Sequence, residues 1–465
     1  MMYDVIIVGG GSGGYAAAIR AAQLKLKVAV VEKDSLGGAC LNWGCIPTKT
    51  LYRNAELFNL VKQAHRFGIN IEGYTIDTSV IQQRKSEVIR RLHDDINRMI
   101  TKYQIPLYKG WGTFLDDHTI EVALEDGRKK QITASHVIIA TGSVPVVPPL
   151  EGVNLDGVYT SNEMLLFHEI PKELVVVGAG VVGMEFACIF QAFGSKVKVI
   201  STTDRILARL DEDITKALSK HFISNGGEII GGVRAEKFTY DSESDQYEAW
   251  VNDGNKSYSV SGDIVLLSIG RKPFMEQLGL EGLELKMDRG TLVIDEQCRT
   301  SKPHIFAIGD VNRKEMLAYT AANQGIRAVE LIAGGEEKPY DKLFASCIFV
   351  FPELAFVGLT EGDCVEKGIP YRVSKSYFEV NGKALALDQS QGFVKVICDE
   401  HEKILGVHIL GPHATDLIHE AVLALQYDMT VQHIINTIHA HPTLSEAFRE
   451  AVLGLRDASL TTITG

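Results

Sequence analysis

The chain has 465 residues, 45% hydrophobic and 23% charged, with a formal net charge of -12 and 7 cysteines. That length is too great for one hydrophobic core and predicts two to four domains of about 100–200 residues each. The acidic balance, with no basic run interleaved with aromatics, excludes nucleic-acid binding. No apolar stretch approaches the ~18 residues of a membrane-spanning helix, so no membrane association is expected.

Val5–Val8 is a β-branched run that predicts a buried strand, not the apolar core of a signal peptide: Asp4 precedes it and no basic segment does. Gly9-Gly10-Gly11-Ser12-Gly13-Gly14 follows, then an alanine-rich helix from Tyr15 to Gln23 and a second strand, Val28–Val31, ending at Glu32. The spacing of Gly9, Gly11 and Gly14 is Gly-x-Gly-x-x-Gly. Such glycines let backbone N–H groups approach a pyrophosphate at a helix N-terminus. The pattern returns as strand 174–177, then Gly178, Gly180 and Gly183, a helix from Met184 to Phe193, and strand 197–200. Glu32 lies 18 residues after Gly14, and Ser201 lies 18 after Gly183. Two dinucleotide-binding units in matching register are therefore expected. Glu32 stands where a carboxylate accepts from ribose hydroxyls; Ser201 holds the matching place in the second unit.

Between the units, Ser79 to Tyr103 predicts a long polar helix, and residues 138–142 a strand running into the turn Thr141-Gly142. Pro145, Pro148 and Pro149 mark a boundary. Gly270-Arg271-Lys272-Pro273 closes the second unit, and residues 305–310 form another buried strand ending in Gly309-Asp310. From about Lys342 the texture changes to alternating strands (393–397 and 404–409) and then helices. The predicted class is α/β, with two Rossmann-like dinucleotide domains and an α+β C-terminal domain. The expected divisions are 1–148, 149–271, a central segment 272–341, and 342–465.

Cys40 and Cys45 lie in Gly37-Gly38-Ala39-Cys40-Leu41-Asn42-Trp43-Gly44-Cys45-Ile46-Pro47-Thr48-Lys49, directly after the first glycine loop unit. A structural disulfide, a metal pair and a redox pair are the alternatives. Zinc needs two further ligands and none is near in sequence, so no metal site is expected. One irregular helical turn brings such a pair within disulfide reach, and a helix N-terminus favours a reactive thiolate, so redox chemistry is the preferred reading. The other five, Cys188, Cys298, Cys347, Cys364 and Cys398, read as packed side chains in a reducing compartment. Near the C-terminus stands His439-Ala440-His441-Pro442-Thr443-Leu444-Ser445-Glu446. His441 with Glu446 five residues on fits a base with its orienting carboxylate. It equally fits partly buried histidines at a helix start with Glu446 as a cap.

These motifs resemble those of the flavoprotein disulfide reductases, the FAD-dependent pyridine nucleotide-disulfide oxidoreductases, over essentially the whole chain. The Gly-Gly-x-Cys-x-x-x-Gly-Cys-Ile-Pro-x-Lys stretch carries the resemblance. Residues 437–446 and Asn381-Gly382-Lys383-Ala384-Leu385 resemble the lipoamide-oxidising branch rather than glutathione reductase. The resemblance implies that Gly9, Gly11, Gly14, Glu32, Thr141, Gly142, Gly309 and Asp310 hold FAD, with Asp310 on the ribityl chain. It implies that Gly178, Gly180, Gly183, Ser201, Gly270 and Arg271 serve the nicotinamide dinucleotide, and that Lys49 pairs with Glu185 beside the flavin. It further implies a homodimer in which His441 and Glu446 serve the Cys40–Cys45 pair of the other subunit. The implied reaction oxidises protein-bound dihydrolipoyl groups to the lipoyl disulfide and passes hydride to NAD+. The implied partners are the lipoyl domains of 2-oxoacid dehydrogenase or glycine cleavage complexes, in a bacterial cytoplasm or an organelle matrix after processing.

Three departures stand out. The branch usually has glutamate at position 201; Ser201 removes its repulsion of a 2′-phosphate, and Thr202, Thr203 and Arg205 lie nearby, so NADP is not excluded although NAD is expected. Tyr319-Thr320 replaces the usual His-Lys, and Phe274 replaces an asparagine after Pro273. Within the family, a transhydrogenase would lack Cys40, and a mercuric reductase would carry a cysteine pair near the C-terminus, where Cys398 is the last here. A glutathione-reductase-like enzyme using NADPH, or a mainly structural flavin subunit, are the remaining alternatives. Intact Cys40, Cys45, Lys49, Glu185, His441 and Glu446 speak against an inactive subunit.

Overall fold

In the computed structural model, which describes residues 2–337 and 343–461, the N-terminal β-branched run forms β1 (Met2–Val8), with Val5, Ile6 and Ile7 fully buried. Helix α1 (Ser12–Gln23) buries its alanine face, Ala17, Ala18 and Ala21, and β2 (Val28–Glu32) lies parallel to β1 with Val28 beside Val5. The turn between β1 and α1 needs glycine for steric reasons. Gly9 has φ 108°, and a Cβ on Gly14 would meet the Gly9 carbonyl oxygen at 1.9 Å. Two helices follow, α2 (Gly38–Trp43) and α3 (Cys45–Gln63), and then α4 (Thr78–Lys102), capped by the Asp77 carboxylate. The antiparallel strands β3 (Leu107–Phe114), β4 (Thr119–Leu124) and β5 (Lys129–Ile139) come next, and β5 runs back parallel to β1.

Beyond the short β6 (Ser143–Pro145) the second unit begins. It comprises β7 (Val158–Thr160), α5 (Ser161–Met164), β8 (Glu173–Val177), α6 (Val181–Phe193), β9 (Lys196–Ile200), α7 (Glu212–Ser224) and β10 (Glu228–Ile230). An antiparallel ribbon follows, β11 (Arg234–Asp241), β12 (Gln246–Asn252) and β13 (Ser257–Gly262), and then β14 (Ile264–Leu267). The parallel sheet runs in the order β10-β9-β8-β14-β7. Its glycine turn repeats the first: Gly178 has φ 113°, and a Cβ on Gly183 would meet the Gly178 carbonyl oxygen at 2.0 Å.

Strand β15 (Arg271–Pro273) pairs antiparallel with β6, so the chain enters and leaves the second unit through one ribbon. After the small hairpin β16 (Met287–Asp288) and β17 (Thr291–Leu292), β18 (Ile305–Ala307) joins β5 and completes the six-stranded first sheet. Helix α8 (Ala318–Ile332) then packs closely on α1; a Cβ on Gly325 would meet the Gly13 carbonyl oxygen at 2.5 Å.

The C-terminal part contains β19 (Ser346–Ile348), β20 (Leu354–Gly358), α9 (Glu361–Lys367), β21 (Tyr371–Tyr377), α10 (Gly382–Ala386), β22 (Phe393–Asp399) and β23 (Ile404–Leu410). It ends in α11 (Ala414–Gln426), α12 (Val431–Asn436) and α13 (Glu446–Gly454). Its antiparallel sheet has the order β19-β20-β23-β22-β21. The expected class, two Rossmann-like units and an α+β C-terminal part, is what the chain adopts. The expected boundary at 341/342 lies outside the described residues. Among the described residues, no helix is long and apolar enough to cross a membrane.

Helices α1 and α6 each begin three residues before the positions expected, at Ser12 and Val181. The reason is local. Gly11 and Gly180 are the N-caps and carry no capping side chain, so the helices open inside the glycine turn and leave their first N–H groups free for a ligand.

Candidate active site

Gly44 separates α2 from α3, with φ -151° and ψ -110°, and so breaks the helix between the two cysteines. Cys40 lies in α2, Cys45 is the first residue of α3, and both are half-buried free thiols. They are unequal. A hydrogen bond from Cys40 draws the Cys45 thiol down to about 7; burial opposes this and the Lys49 ammonium, one helical turn on, assists. Cys40 is pushed up, first because it donates that hydrogen bond and then by burial. Cys45 is therefore the thiolate of the pair and Cys40 the thiol.

Lys49 reaches out of α3 to Glu185 on α6, with Nζ 2.8 Å from each carboxylate oxygen. Glu185 is only 4% exposed and also accepts the Phe349 N–H at 3.0 Å. The Lys49 ammonium stands 4.6 Å from the Phe349 ring centre. Residues 49, 185 and 349 thus bring all three parts of the chain to one point.

The glycine turns fit the pyrophosphates expected of them. Built Cβ atoms on Gly142, Gly180 and Gly270 meet nothing within 4 Å, and on Gly11 the nearest atom is 3.7 Å away, so these backbones border open space. At the end of β2, Glu32 accepts from Gly10 N–H at 2.6 Å and Asp34 N–H at 2.8 Å, and burial raises its pKa. Each oxygen keeps a lone pair for a ribose hydroxyl. Thr141 donates its hydroxyl to the Phe274 carbonyl at 2.6 Å. Gly309 N–H donates to Gln324 Oε1 at 2.7 Å, and Asp310 accepts from the Ser143 hydroxyl at 2.5 Å. Arg271 donates to Ser143 Oγ at 2.8 Å and to its carbonyl at 2.7 Å; burial lowers its pKa, and the nearby negative charges of Asp310 and Cys45 oppose this. Sequence reasoning missed Ser143. It sits two residues beyond Thr141, but its partners are more than 100 residues away and no local pattern marks it.

Ser201 is buried at the end of β9, and its hydroxyl is used within the turn. It accepts from Thr203 N–H at 3.2 Å and lies 3.1 Å from Thr203 Oγ1, which donates to the Arg205 carbonyl. The Arg205 guanidinium points into α7, donating to Thr215 Oγ1 at 3.3 Å and the Ala208 carbonyl at 3.0 Å.

His441 precedes α13, and its Nδ1 is 3.0 Å from Glu446 Oε1; its side chain is 77% exposed. Glu446 Oε2 accepts the Thr443 N–H at 2.8 Å. Burial of Glu446 opposes ionisation, but the Thr443 N–H and His441 together hold its pKa below the usual carboxylate value. Glu446 thus bonds the turn backbone and the imidazole at once, and His441 is exposed rather than partly buried. His439 belongs to a different pair, with Nε2 2.8 Å from Glu420 Oε1, a partner the sequence did not reveal. Among the described residues, no hydrogen bond joins His441 or Glu446 to Cys40 or Cys45. Cys188, Cys298, Cys364 and Cys398 are buried as expected, whereas Cys347 is half-buried, its sulfur 3.7 Å from the Thr415 carbonyl.

Two dinucleotide folds with a polarised dithiol beside the first define a disulfide oxidoreductase that works with two nucleotide cofactors. The chain belongs to the pyridine nucleotide-disulphide oxidoreductase family: residues 3–325 match the family and residues 344–452 its dimerisation domain. It is 42% identical over 463 residues to dihydrolipoyl dehydrogenase of Bacillus subtilis, covering 97% of each chain. It is 38% identical to the mitochondrial dihydrolipoyl dehydrogenase of Schizosaccharomyces pombe, covering 97% of this chain and 89% of the relative. The solved structure of LpdA from Mycobacterium tuberculosis superposes with a TM-score of 0.90 at 27% identity, covering 97% and 99% of the two chains. The Escherichia coli flavoprotein disulfide reductase RclA superposes with a TM-score of 0.86 at 27% identity, again covering 97% and 99%. The protein is thus an FAD-dependent disulfide oxidoreductase that uses a pyridine nucleotide.

Proposed function

We propose that the enzyme oxidises protein-bound dihydrolipoyl groups to the lipoyl disulfide and delivers the hydride to NAD+. The observation that carries this reading is the placement of the dithiol across the α2–α3 break, with Lys49, one turn beyond Cys45, held by Glu185; the Cys40 hydrogen bond and the Lys49 charge both lower the Cys45 thiol. The names of the Bacillus and Schizosaccharomyces relatives support the choice of substrate.

His441, oriented through Nδ1 by Glu446, takes a proton at Nε2 from one dihydrolipoyl thiol. The resulting thiolate attacks the Cys40 sulfur of the Cys40–Cys45 disulfide; that bond breaks and Cys45 leaves as a thiolate, stabilised by Lys49. The second lipoyl thiol, deprotonated in turn, attacks its partner sulfur in the mixed disulfide. Oxidised lipoyl departs and Cys40 becomes the thiol that hydrogen-bonds Cys45. FAD, when bound, relays the electron pair from the dithiol to the nicotinamide ring. Gly9, Gly11, Gly14, Glu32, Thr141, Gly142, Gly309 and Asp310 would hold FAD. Gly178, Gly180, Gly183, Gly270 and Arg271 would hold the nicotinamide dinucleotide.

In this reading His441 and Glu446 serve the cysteines of the partner subunit in a homodimer. The 77% exposure of the His441 side chain and the match of residues 344–452 to a dimerisation domain favour that arrangement. The domains would divide at 148/149, 271/272 and 341/342, and the partners would be lipoyl domains of a 2-oxoacid dehydrogenase or glycine cleavage complex. NAD is preferred to NADP because the Ser201 and Thr203 hydroxyls are committed within the turn and the Arg205 guanidinium is committed to α7 and the Ala208 carbonyl. The test is dihydrolipoamide oxidation by the purified flavoprotein with NAD+ and NADP+ in parallel. Fast turnover with NAD+ is expected. Turnover only with NADP+ would overturn the cofactor assignment, and no turnover with either would overturn the substrate.

A further inference from the structure

The turn between β3 and β4 brings Asp117 and His118 against His304, which immediately precedes β18. Their ligand atoms all lie within 4.8 Å of one another, and among the described residues this is the one cluster of three such side chains. The imidazoles of His118 and His304 stack, with ring centres 4.4 Å apart and planes 16° from parallel. The His118 Nδ1–H donates to the Ala134 carbonyl at 2.9 Å, which leaves Nε2 as a lone pair. A ring N–H held by a backbone carbonyl is the arrangement that orients histidine for a metal. His304 Nε2 is buried, has no hydrogen-bond partner, and lies 3.6 Å from Asp117 Oδ2. The same carboxylate oxygen already holds a cation, the Lys302 ammonium at 2.8 Å, and both of those side chains are one-third exposed.

We propose that Asp117, His118 and His304 bind one borderline divalent transition ion, Zn2+ or Cu2+, through two imidazole nitrogens and a carboxylate oxygen. That donor set suits these metals and leaves positions open for water. The ion takes the place of the Lys302 ammonium, which swings into solvent, and supplies the bond that His304 Nε2 lacks. Bond lengths of about 2.0–2.1 Å require the three donors to close on the ion, and the exposed β3–β4 turn permits that movement. The bound ion ties this turn to the start of β18, the strand that completes the first sheet and whose far end leads into Gly309-Asp310. Sequence spacing could not reveal the site because its third ligand lies 186 residues beyond the second.

The test uses the chelator-treated holoenzyme with FAD bound and Cys40–Cys45 oxidised, so that the thiols do not compete. Zn2+ is titrated by equilibrium dialysis with metal counting, and Cu2+ is followed by electron paramagnetic resonance. One Zn2+ per chain is expected, with nitrogen hyperfine structure from two imidazoles on Cu2+ and a raised melting temperature in Zn2+. His118→Ala, an exposed position, should weaken binding by ~10-fold or more while leaving turnover unchanged, and Lys302→Met should tighten it by removing the competing charge. The proposal is overturned if binding survives both His118→Ala and His304→Gln, if it disappears instead with His441→Ala, or if no Zn2+ binds at ~0.1 mM.

Discussion

Lys49 Nζ lies 2.8 Å from both carboxylate oxygens of Glu185 and joins α3 to α6 across the two dinucleotide units. The pair does more than tie domains. The Lys49 charge, after the Cys40 hydrogen bond, is what lowers Cys45. A lowered value means that the thiolate persists above about 7 and is protonated as pH falls through it. Replacing Lys49 by Met should therefore move the titration of Cys45 upward, toward the ~8.5 of a free thiol. The absorption of a thiolate beside oxidised flavin, followed against pH in the two-electron-reduced enzyme, reads this directly. An unchanged midpoint would leave Cys40 alone responsible.

Cys45→Ser should abolish that long-wavelength absorption at every pH while FAD stays bound. Cys40→Ala, which leaves no donor at position 40, should keep the band but raise its midpoint, because the largest influence lowering Cys45 is the hydrogen bond from Cys40. If the band survived in Cys45→Ser, the thiolate would have to be assigned to Cys40.

The imidazole of His441 is mostly exposed in a single chain, which fits a group that works across a dimer interface. His441→Ala should cut dihydrolipoamide turnover by ~10²-fold or more with flavin retained, as loss of a general base does. Glu446→Gln should cost less turnover but also alter the pH profile, since it removes the charge that holds Nδ1–H while preserving the Thr443 contact. Near-normal turnover in His441→Ala would demote the residue to packing. Mixing inactive Cys45→Ser with inactive His441→Ala subunits should restore part of the activity if the site is shared.

Much of this architecture was legible because it is written locally. The Gly9–Gly14 and Gly178–Gly183 turns need glycine within a few residues of one another, and Cys40 to Lys49 lie on one helix–break–helix segment. Contacts that join distant segments left no such mark. Ser143 connects Arg271 to Asp310, Glu420 holds His439, and Lys395 sits in an ion cluster with acids near residues 211 and 361. Each depends on how sheets stack, and no periodicity encodes that.

Ser201 controls the pyridine nucleotide in this reading. Ser201→Glu should restore a carboxylate that binds the ribose hydroxyls and repels a 2′-phosphate. The ratio of kcat/KM for NAD+ over NADP+ should rise by ~10-fold or more. An unchanged ratio would show that the turn 202–205, not residue 201, sets the preference. Thr203→Ala gives the complementary check, because it removes the hydroxyl that engages Ser201 Oγ, without adding charge, while the Thr203 N–H contact stays.

Lys395 on β22 is 1% exposed and lies 2.8 Å from Asp211 Oδ1 and 2.6 Å from Asp213 Oδ2, with Glu361 also in contact. Asp211, 2% exposed, caps α7 of the second unit through the Asp213 N–H. The ammonium therefore holds the second unit against the C-terminal sheet. Burial alone would depress its pKa, but the three carboxylates outweigh burial and raise it. Lys395→Met leaves those acids without their buried countercharge, which should cost about 3–5 kcal/mol. Urea unfolding of the holoenzyme should show this as a lowered midpoint. Adding Asp211→Asn to that variant should recover part of the loss, because the buried charge goes while the cap oxygen stays. A single variant as stable as the parent would mean that water enters the cluster and already screens it.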